Sequence, residues 1–273
     1  MKQIITLFLI VSQMSLAQIW VDTLDDAKKM AKAANKFILI DFTATWCKPC
    51  KKMEQDFWHN SNYKTTLDKF IVVPIDLDRN RDIAQHYNVR SIPNVKLTDM
   101  NGDVIYESLG FDNAVFFNKE FEGFPNNSEI LYKNLNFKDK KQPTDEELLN
   151  LATSYQVLLQ LSKNNARNSF FKLSNNFFDK CLKQTSNASY KETSELGKFF
   201  NLALTDYGQK VIKKLEVSKV SDENKPFAYY ILAKSNYQEN NKGEAEKNIV
   251  EIEKTGVEQW VYAAKILKEK YGR

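Results

Sequence analysis

Residues 37–50 read FILIDFTATWCKPC and combine a strand pattern with a pair of cysteines. Phe37 to Phe42 is a short apolar run, which is typical of a strand buried on both faces. A helix is predicted from Cys47 to Trp58, so the first cysteine stands where the strand ends and the helix begins. The unpaired N–H groups at a helix start carry partial positive charge and stabilise a thiolate more than a thiol. We therefore expect the pKa of Cys47 to lie below the free value of about 8.5.

The spacing of the two cysteines is that of a redox pair. Two intervening residues let the sulfurs meet across one helical turn, so Cys47 can attack a disulfide and Cys50 can then resolve the mixed disulfide. The same spacing occurs in half of a zinc ribbon, but Cys181, His59 and His86 are the other candidate ligands and their spacings are unsuitable. A purely structural disulfide is the other alternative. The strand–cysteine–helix context favours redox chemistry over both, and no metal site is expected.

Outward from this stretch, residues 18–124 alternate strand-like and helix-like runs. The further predicted elements are a helix over Leu24–Ala34 capped by Thr23, a strand over Phe70–Ile75, a short helix over Arg81–Tyr87, strands over Asn94–Thr98 and Val104–Glu107 around an Asn101-Gly102 turn, and a helix to Glu122 capped by Asp112. Strands that alternate with helices and end in a hairpin predict an α/β domain with a mixed sheet.

Composition excludes several classes of protein. The 273 residues include 39 Lys+Arg and 35 Asp+Glu, so the charge is nearly balanced and no broad basic surface for nucleic acid is expected. An apolar fraction of 42% is ample for a sizeable core. Three cysteines are too few for a disulfide scaffold, and two histidines argue against a histidine-based metal site.

Residues 1–17 have the pattern of a secretory signal peptide. Lys2 gives a positive start, Ile4 to Val11 is mostly apolar, and Ser15-Leu16-Ala17 places small residues before a cleavage site at Gln18. A membrane anchor or a buried helix is the alternative, but the apolar run is well short of the roughly 20 residues that a span needs. We expect an exported protein, periplasmic or secreted, in a compartment where disulfides persist.

The second half of the chain has a different pattern. Residues 125–143 are largely polar and are predicted to be a linker, and residues 144–273 show only helical periodicity. The spacing of Ala228, Tyr229, Leu232 and other residues up to Ala245 faintly resembles a tetratricopeptide repeat, without a clean second copy. The prediction is therefore an all-helical domain, either tetratricopeptide-like or a plain bundle. Cys181 is predicted to be a buried apolar residue of this domain.

The motifs of residues 19–122 resemble the thioredoxin superfamily. The segment Trp46-Cys47-Lys48-Pro49-Cys50-Lys51 is similar to that family's active site, and Ser91-Ile92-Pro93 follows at the distance of its cis-proline loop. Asn101-Gly102 matches the hairpin turn after that loop. The resemblance implies a thioredoxin fold with a mixed sheet and flanking helices.

The resemblance also implies roles for individual residues. Cys47 matches the nucleophile, Cys50 the resolving cysteine, and Asp41 the buried acid behind it. Pro93 matches the cis-proline, and Ile92 the backbone that pairs with a bound peptide. Trp46 is expected to form a wall of the same substrate-binding surface.

Asp41 is also notable without the resemblance. A carboxylate within an apolar strand is costly to bury, and burial would raise its pKa until it can exchange a proton near neutrality. The alternative is a strand end in solvent. The family often has a lysine near this acid, but the matching position here is Pro74, so Asp41 is expected to act alone.

These residues predict a thiol–disulfide oxidoreductase that acts on protein disulfides, more as a reductase than as an oxidase. No cofactor or metal is implied, and a partner of unknown identity must recycle the cysteine pair. The alternative function is a partner- or peptide-binding helical module that carries a vestigial thioredoxin-like domain. The intact Cys-Lys-Pro-Cys motif argues against that alternative.

Overall fold

A computed structural model describes residues 19–135 and 142–271 of the chain. The predicted signal peptide, residues 1–17, lies outside the described residues, as does part of the predicted linker. Within the described ranges, no helix is both long enough and apolar enough to span a membrane.

The first half is built on a five-stranded sheet with the order β1-β3-β2-β4-β5. The strands are β1 (Ile19–Trp20), β2 (Phe37–Thr43), β3 (Phe70–Asp76), β4 (Asn94–Thr98) and β5 (Val104–Leu109). β2 is central: it pairs in parallel with β3 and antiparallel with β4, which pairs antiparallel with β5. This arrangement confirms the predicted mixed sheet. The apolar run of β2 is buried because neighbours cover both of its edges and helices cover its faces.

Five α-helices flank this sheet. They are α1 (Leu24–Ala34), α2 (Lys48–Met53), α3 (Lys64–Leu67), α4 (Arg81–His86) and α5 (Ala114–Phe121). Thr23 caps α1 as predicted, with its hydroxyl oxygen accepting a hydrogen bond from the backbone N–H of Asp26. The predicted cap of α5 is wrong by one residue. Asn113, not Asp112, has the extended backbone of a cap, and its side-chain oxygen accepts from Phe116 N at 3.0 Å.

Two other local predictions need refinement. The helix expected from Cys47 to Trp58 is α2 followed by a π-helical turn at Glu54–Trp58. The β4–β5 connection is longer than a two-residue turn, because a carboxylate oxygen of Asp99 accepts from two backbone N–H groups and closes a wider loop. Gly102 in that loop has φ 89°, a left-handed conformation that favours glycine.

The second half is all-helical, as predicted. Its helices are α6 (Glu129–Tyr132), α7 (Asp145–Leu161), α8 (Asn164–Gln184), α9 (Ala188–Ala203), α10 (Gly208–Lys214), α11 (Lys225–Gln238), α12 (Lys242–Thr255) and α13 (Glu258–Tyr271). A tetratricopeptide arrangement is not confirmed. Cys181 is fully buried on α8, which agrees with its predicted structural role.

The sheet and the first long helices share one hydrophobic core. The Phe170 ring on α8 lies 6.0 Å from the Phe37 ring of β2 and 5.7 Å from the Phe124 ring, measured between centroids. The described part of the predicted linker, residues 125–135, is not an exposed connection, because Leu131 and Leu135 are buried in this same core. Their apolar side chains anchor a segment whose largely polar composition had suggested a linker. The division into residues 18–124 and a separate helical domain remains a prediction.

Candidate redox site

The two cysteines form a disulfide at the start of α2. Cys47 is the N-cap residue, with the extended backbone of that position, and its Sγ accepts a hydrogen bond from Cys50 N at 3.2 Å. Pro49 lies in the first helical turn, where the missing N–H costs no intrahelical hydrogen bond. The sulfur of Cys47 therefore lies at the positive end of the helix, as the sequence predicted.

Neither sulfur is freely exposed in the disulfide form. Cys47 and Cys50 are each 3% exposed, and they form a small apolar cluster with Ala44, against which Ile92 packs. In this oxidised state, Cys47 is therefore as buried as Cys50. Its selective reactivity in the reduced protein stays a prediction.

The Ile92-Pro93 loop lies beside the disulfide, and its peptide bond is cis, as the resemblance implies. The carbonyl oxygen of Pro93 accepts a hydrogen bond from Gly110 N at 2.8 Å, which ties the loop to the end of β5. Within the described part of the chain, the backbone N–H and C=O of Ile92 have no hydrogen-bond partner. These two groups are available to an extended peptide.

Trp46 forms an exposed wall of the site. Its side chain is 64% exposed, and the indole N–H donates to a carboxylate oxygen of Asp78 at 3.0 Å. Asp78 follows β3 and is not among the residues that the sequence singles out. One feature of the sequence could have pointed to Asp78: it forms a pair of carboxylates with Asp76 at the end of β3, the strand that runs parallel to β2. The carboxyl ends of parallel strands meet at one edge of a sheet, so Asp78 and the segment after β2 are neighbours there.

Leu109 is a second residue that the sequence did not single out. It is 64% exposed at the end of β5 and is paired with Asn94, the residue after Pro93. Leu109 is therefore a large apolar side chain that is exposed beside the cis-proline loop. One feature of the sequence could have pointed to Leu109: it directly precedes Gly110, so it lies at the end of a strand.

Asp41 is buried, which excludes the alternative of a solvated strand end. It is 6% exposed and sits in β2 between Pro74 of β3 and Val95 of β4. The predicted match of Pro74 with the family's lysine position agrees with this pairing. Within the described chain, Asp41 Oδ1 has no hydrogen-bond partner. A carboxylate in this place has little to compensate for its lost hydration.

The surroundings of Asp41 shift its proton affinity. The pKa of Asp41 is raised from 3.8 to about 7: burial is the largest cause, the negative charge of Glu54 adds to it, and the indole N–H of Trp58 has a smaller opposing effect. Glu54 and Trp58 belong to the π-helical turn that directly continues α2. Asp41 therefore lies near the turn that continues the helix of Cys50, and with a pKa of about 7 its carboxyl group is partly protonated at neutral pH.

Cys181 and His59, which were considered above as possible metal ligands, make contacts that are typical of structural residues. The Cys181 thiol donates to the backbone oxygen of Asp145 at 3.6 Å, and the His59 ring stacks on Trp20 and lies 3.5 Å from the carboxylate of Glu54. Across residues 19–135 and 142–271, no three histidine, cysteine or acidic side chains come together as a metal site would require.

Comparison with known proteins places this geometry in a family. A family model described as thioredoxin-like matches residues 19–99. Thioredoxin-1 of Drosophila melanogaster is 40% identical over 74 residues, which are 27% of this chain and 67% of the fly protein. Thioredoxin of Gallus gallus is 36% identical over 89 residues, which are 32% of this chain and 78% of the chicken protein.

A third relative is a longer protein, and the match covers only a small part of it. The TPR repeat-containing thioredoxin TDX of Arabidopsis thaliana is 34% identical over 70 residues, which are 26% of this chain but only 18% of the plant protein. Each of these matches covers about a third of this chain or less, and the helical half of the chain lies outside the match to the family model.

The sheet, the cysteine pair at the helix start and these similarities define the class of protein: it is a thiol–disulfide oxidoreductase. Within that class, the chain belongs to the thioredoxin-like family.

Proposed function

We propose that the protein reduces disulfides of other proteins through its Cys-Lys-Pro-Cys pair. The Cys47 thiolate attacks one sulfur of a substrate disulfide, and the other substrate sulfur leaves as a thiolate. The Cys50 thiolate then attacks Cys47 Sγ, which releases the second substrate thiolate and forms the Cys47–Cys50 disulfide. Two electrons pass to the substrate. The observation that carries the proposal is the Cys50 N–H directed at Cys47 Sγ, because the same N–H stabilises a thiolate there.

In this proposal, Asp41 moves the proton of the second step. Cys50 must lose its proton before it can attack, and a buried carboxyl group with a pKa of about 7 is partly deprotonated at neutral pH. The position of Asp41 against the continuation of α2 supports this role. Glu54, which is exposed and raises the pKa of Asp41, is a charged group that such a proton exchange would affect.

The substrate is a protein segment in extended conformation. The free N–H and C=O of Ile92 support backbone pairing with such a segment beside Pro93. The exposed side chains of Trp46 and Leu109 offer apolar contacts on either side. The cysteine pair must then be reduced again by a second protein, whose identity is open.

We also propose that the protein acts after export, in the periplasm or outside the cell. The support is the sequence of residues 1–17, with Lys2, an apolar run and small residues before Gln18. N-terminal sequencing of the protein from its native host tests this: a mature chain that begins at Gln18 is expected. An uncleaved chain recovered from the cytoplasm would contradict the proposal.

The decisive experiment for the redox function is insulin reduction with dithiothreitol as electron source. The wild-type protein should accelerate it, Cys47→Ser should abolish it, and Cys50→Ser should accumulate a mixed disulfide with the substrate. Cys181→Ser is the matched control, because this buried residue lies outside the site and its loss should leave turnover unchanged.

The reduction potential of the cysteine pair then decides the direction of electron flow. A value near the roughly −270 mV of thioredoxin supports a reductase, whereas one near the roughly −120 mV of DsbA would make the protein an oxidase. Full native function in a Cys47→Ser variant would instead favour a helical binding module with a vestigial redox domain.

A further inference from the structure

A cavity of about 350 Å³ lies in the helical half, where α7, α8, α9, α11 and α13 meet. Three cationic side chains line it: Arg167 on α8, Lys234 on α11 and Lys270 on α13. Among its described lining residues, Asp206 is the single acid. The lining therefore carries a formal excess of positive charge, although the charge of the whole chain is nearly balanced.

These cations are not neutralised by the protein. Within residues 19–135 and 142–271, none of the three forms an ion pair with a carboxylate within 4.0 Å. The Arg167 guanidinium donates to the carbonyl oxygens of Ser162 and Leu204. The ammonium groups of Lys234 and Lys270 lie 5.5 and 5.1 Å from the centroid of the same Tyr271 ring.

The charges act on one another across the cavity. Burial lowers the pKa of Lys234, and the positive charges of Lys270 and Arg167 lower that pKa further, against the opposing effect of Tyr271. Grouping like charges in a partly enclosed space is unfavourable unless a charge of opposite sign enters. Gln238 Oε1, also in the lining, is buried and has no hydrogen-bond partner in the described chain. The cavity thus offers cationic donors and one unused acceptor.

We propose that this cavity binds a small organic anion whose carboxylate or phosphate group lies between Lys234 and Lys270. The volume is at the lower end of the roughly 300–1,000 Å³ of small-molecule sites, which suits a compact ligand rather than a folded partner. Phe200 and Ile266 in the lining give the non-ionic part of the ligand an apolar wall, and a ligand hydroxyl can donate to Gln238 Oε1. This site is independent of the cysteine pair and adds a binding function to the helical half.

The test is calorimetric titration of the full chain with two probes, inorganic phosphate and succinate, at constant ionic strength. Saturable binding of at least one probe is expected, and the tighter probe assigns the group as phosphate or carboxylate. Lys234→Gln and Lys270→Gln should each weaken binding about tenfold or more, since a charge-assisted hydrogen bond is lost. Asp206→Asn should strengthen binding, because it removes the negative charge that opposes the ligand.

Lys268→Gln is the matched control, since it removes the same charge from the same helix at a position outside the cavity lining. It should leave binding unchanged. If Lys268→Gln weakened binding equally, the anion would be attracted only by the overall positive charge of the surface, and the proposal would be wrong. The proposal would also be wrong if neither probe showed saturable binding to the wild type. Lys270 is exposed, so its variant should fold, and an anion-induced rise in Tm gives a second readout. Neither readout depends on insulin reduction, so a failure of the redox proposal would be distinguishable.

Discussion

Replacing Asp41 with asparagine should raise the stability of the protein at neutral and alkaline pH. Asp41 is the buried carboxyl group of β2, and burial is the main reason that its pKa rises from 3.8 to about 7. In the folded state the carboxyl therefore holds its proton over a pH range in which the unfolded chain has lost it. Between about pH 4 and pH 7 the folded state binds more protons, so the free energy of unfolding falls as the pH rises.

The size of this effect follows from the two pKa values. The difference between 3.8 and about 7 corresponds to roughly 4 kcal/mol of lost stability once the pH is well above 7. Below about pH 4 the carboxyl is neutral in both states and the penalty vanishes. An asparagine of nearly the same shape has no charge to bury, so Asp41→Asn should be more stable than the wild type at pH 8 by up to that amount and similar to it at pH 4.

Urea unfolding of the oxidised proteins at pH 4, 6 and 8 measures the difference. Asp112→Asn is the matched control, because Asp112 is exposed and its replacement should leave the pH dependence unchanged. Parallel pH profiles for wild type and Asp41→Asn would refute the reasoning, as would a variant that is less stable at pH 8.

The same substitution separates the stability argument from the catalytic one. If Asp41 takes the proton of Cys50, Asp41→Asn should slow release of the mixed disulfide near neutral pH while its formation at Cys47 continues. Stopped-flow measurement of the two steps tests this role. A normal release rate combined with raised stability would show that burial of Asp41 destabilises the protein but that Asp41 takes no part in proton transfer.

Further predictions concern the nucleophile, the shared core and the domain boundary. Reduced Cys47 should react with iodoacetamide at neutral pH much faster than the other two cysteines, and equal rates measured by mass spectrometry would contradict its assignment. Phe170→Ala should destabilise the protein by about 3–5 kcal/mol in urea unfolding, because this ring is fully buried between the two halves, whereas the exposed Phe116→Ala should change stability by less than about 0.5 kcal/mol. A fragment of residues 18–124 should fold and reduce insulin, but with lower stability because Phe37 loses its cover; an unfolded fragment would mean that the halves depend on one core.

Much of the site could be predicted from the sequence because its parts are local. The placement of Cys47 at a helix start depends on a strand and a helix that are contiguous in the chain, and Cys50 follows within one turn. The Thr23 cap is equally local. Asp112 was predicted as the cap of α5 in place of Asn113 because aspartate and asparagine both cap helices well. The residue type alone therefore does not distinguish between adjacent positions.

Other parts of the site depend on contacts between distant segments. Trp46 and Asp78 are 32 positions apart, and their hydrogen bond exists because β2 and β3 run in parallel and end at one edge of the sheet. Burial of Asp41 could be suspected from its apolar neighbours, but the charge of Glu54 and the indole of Trp58 next to it depend on how the π-helical turn lies over the strand.

The redox motif, the mixed α/β order of the first half and the helical character of the second can all be predicted from the order of the residues alone. These properties follow from short-range spacing, hydrophobic periodicity and capping, which each act within a few residues. The meeting of β2 and α8 in one core, and the position of Arg167, Lys234 and Lys270 around one cavity, become visible only in the folded chain. Periodicity shows that a helix has a face to bury, but the partner of that face is chosen by the packing of the whole chain, since apolar surfaces attract without direction.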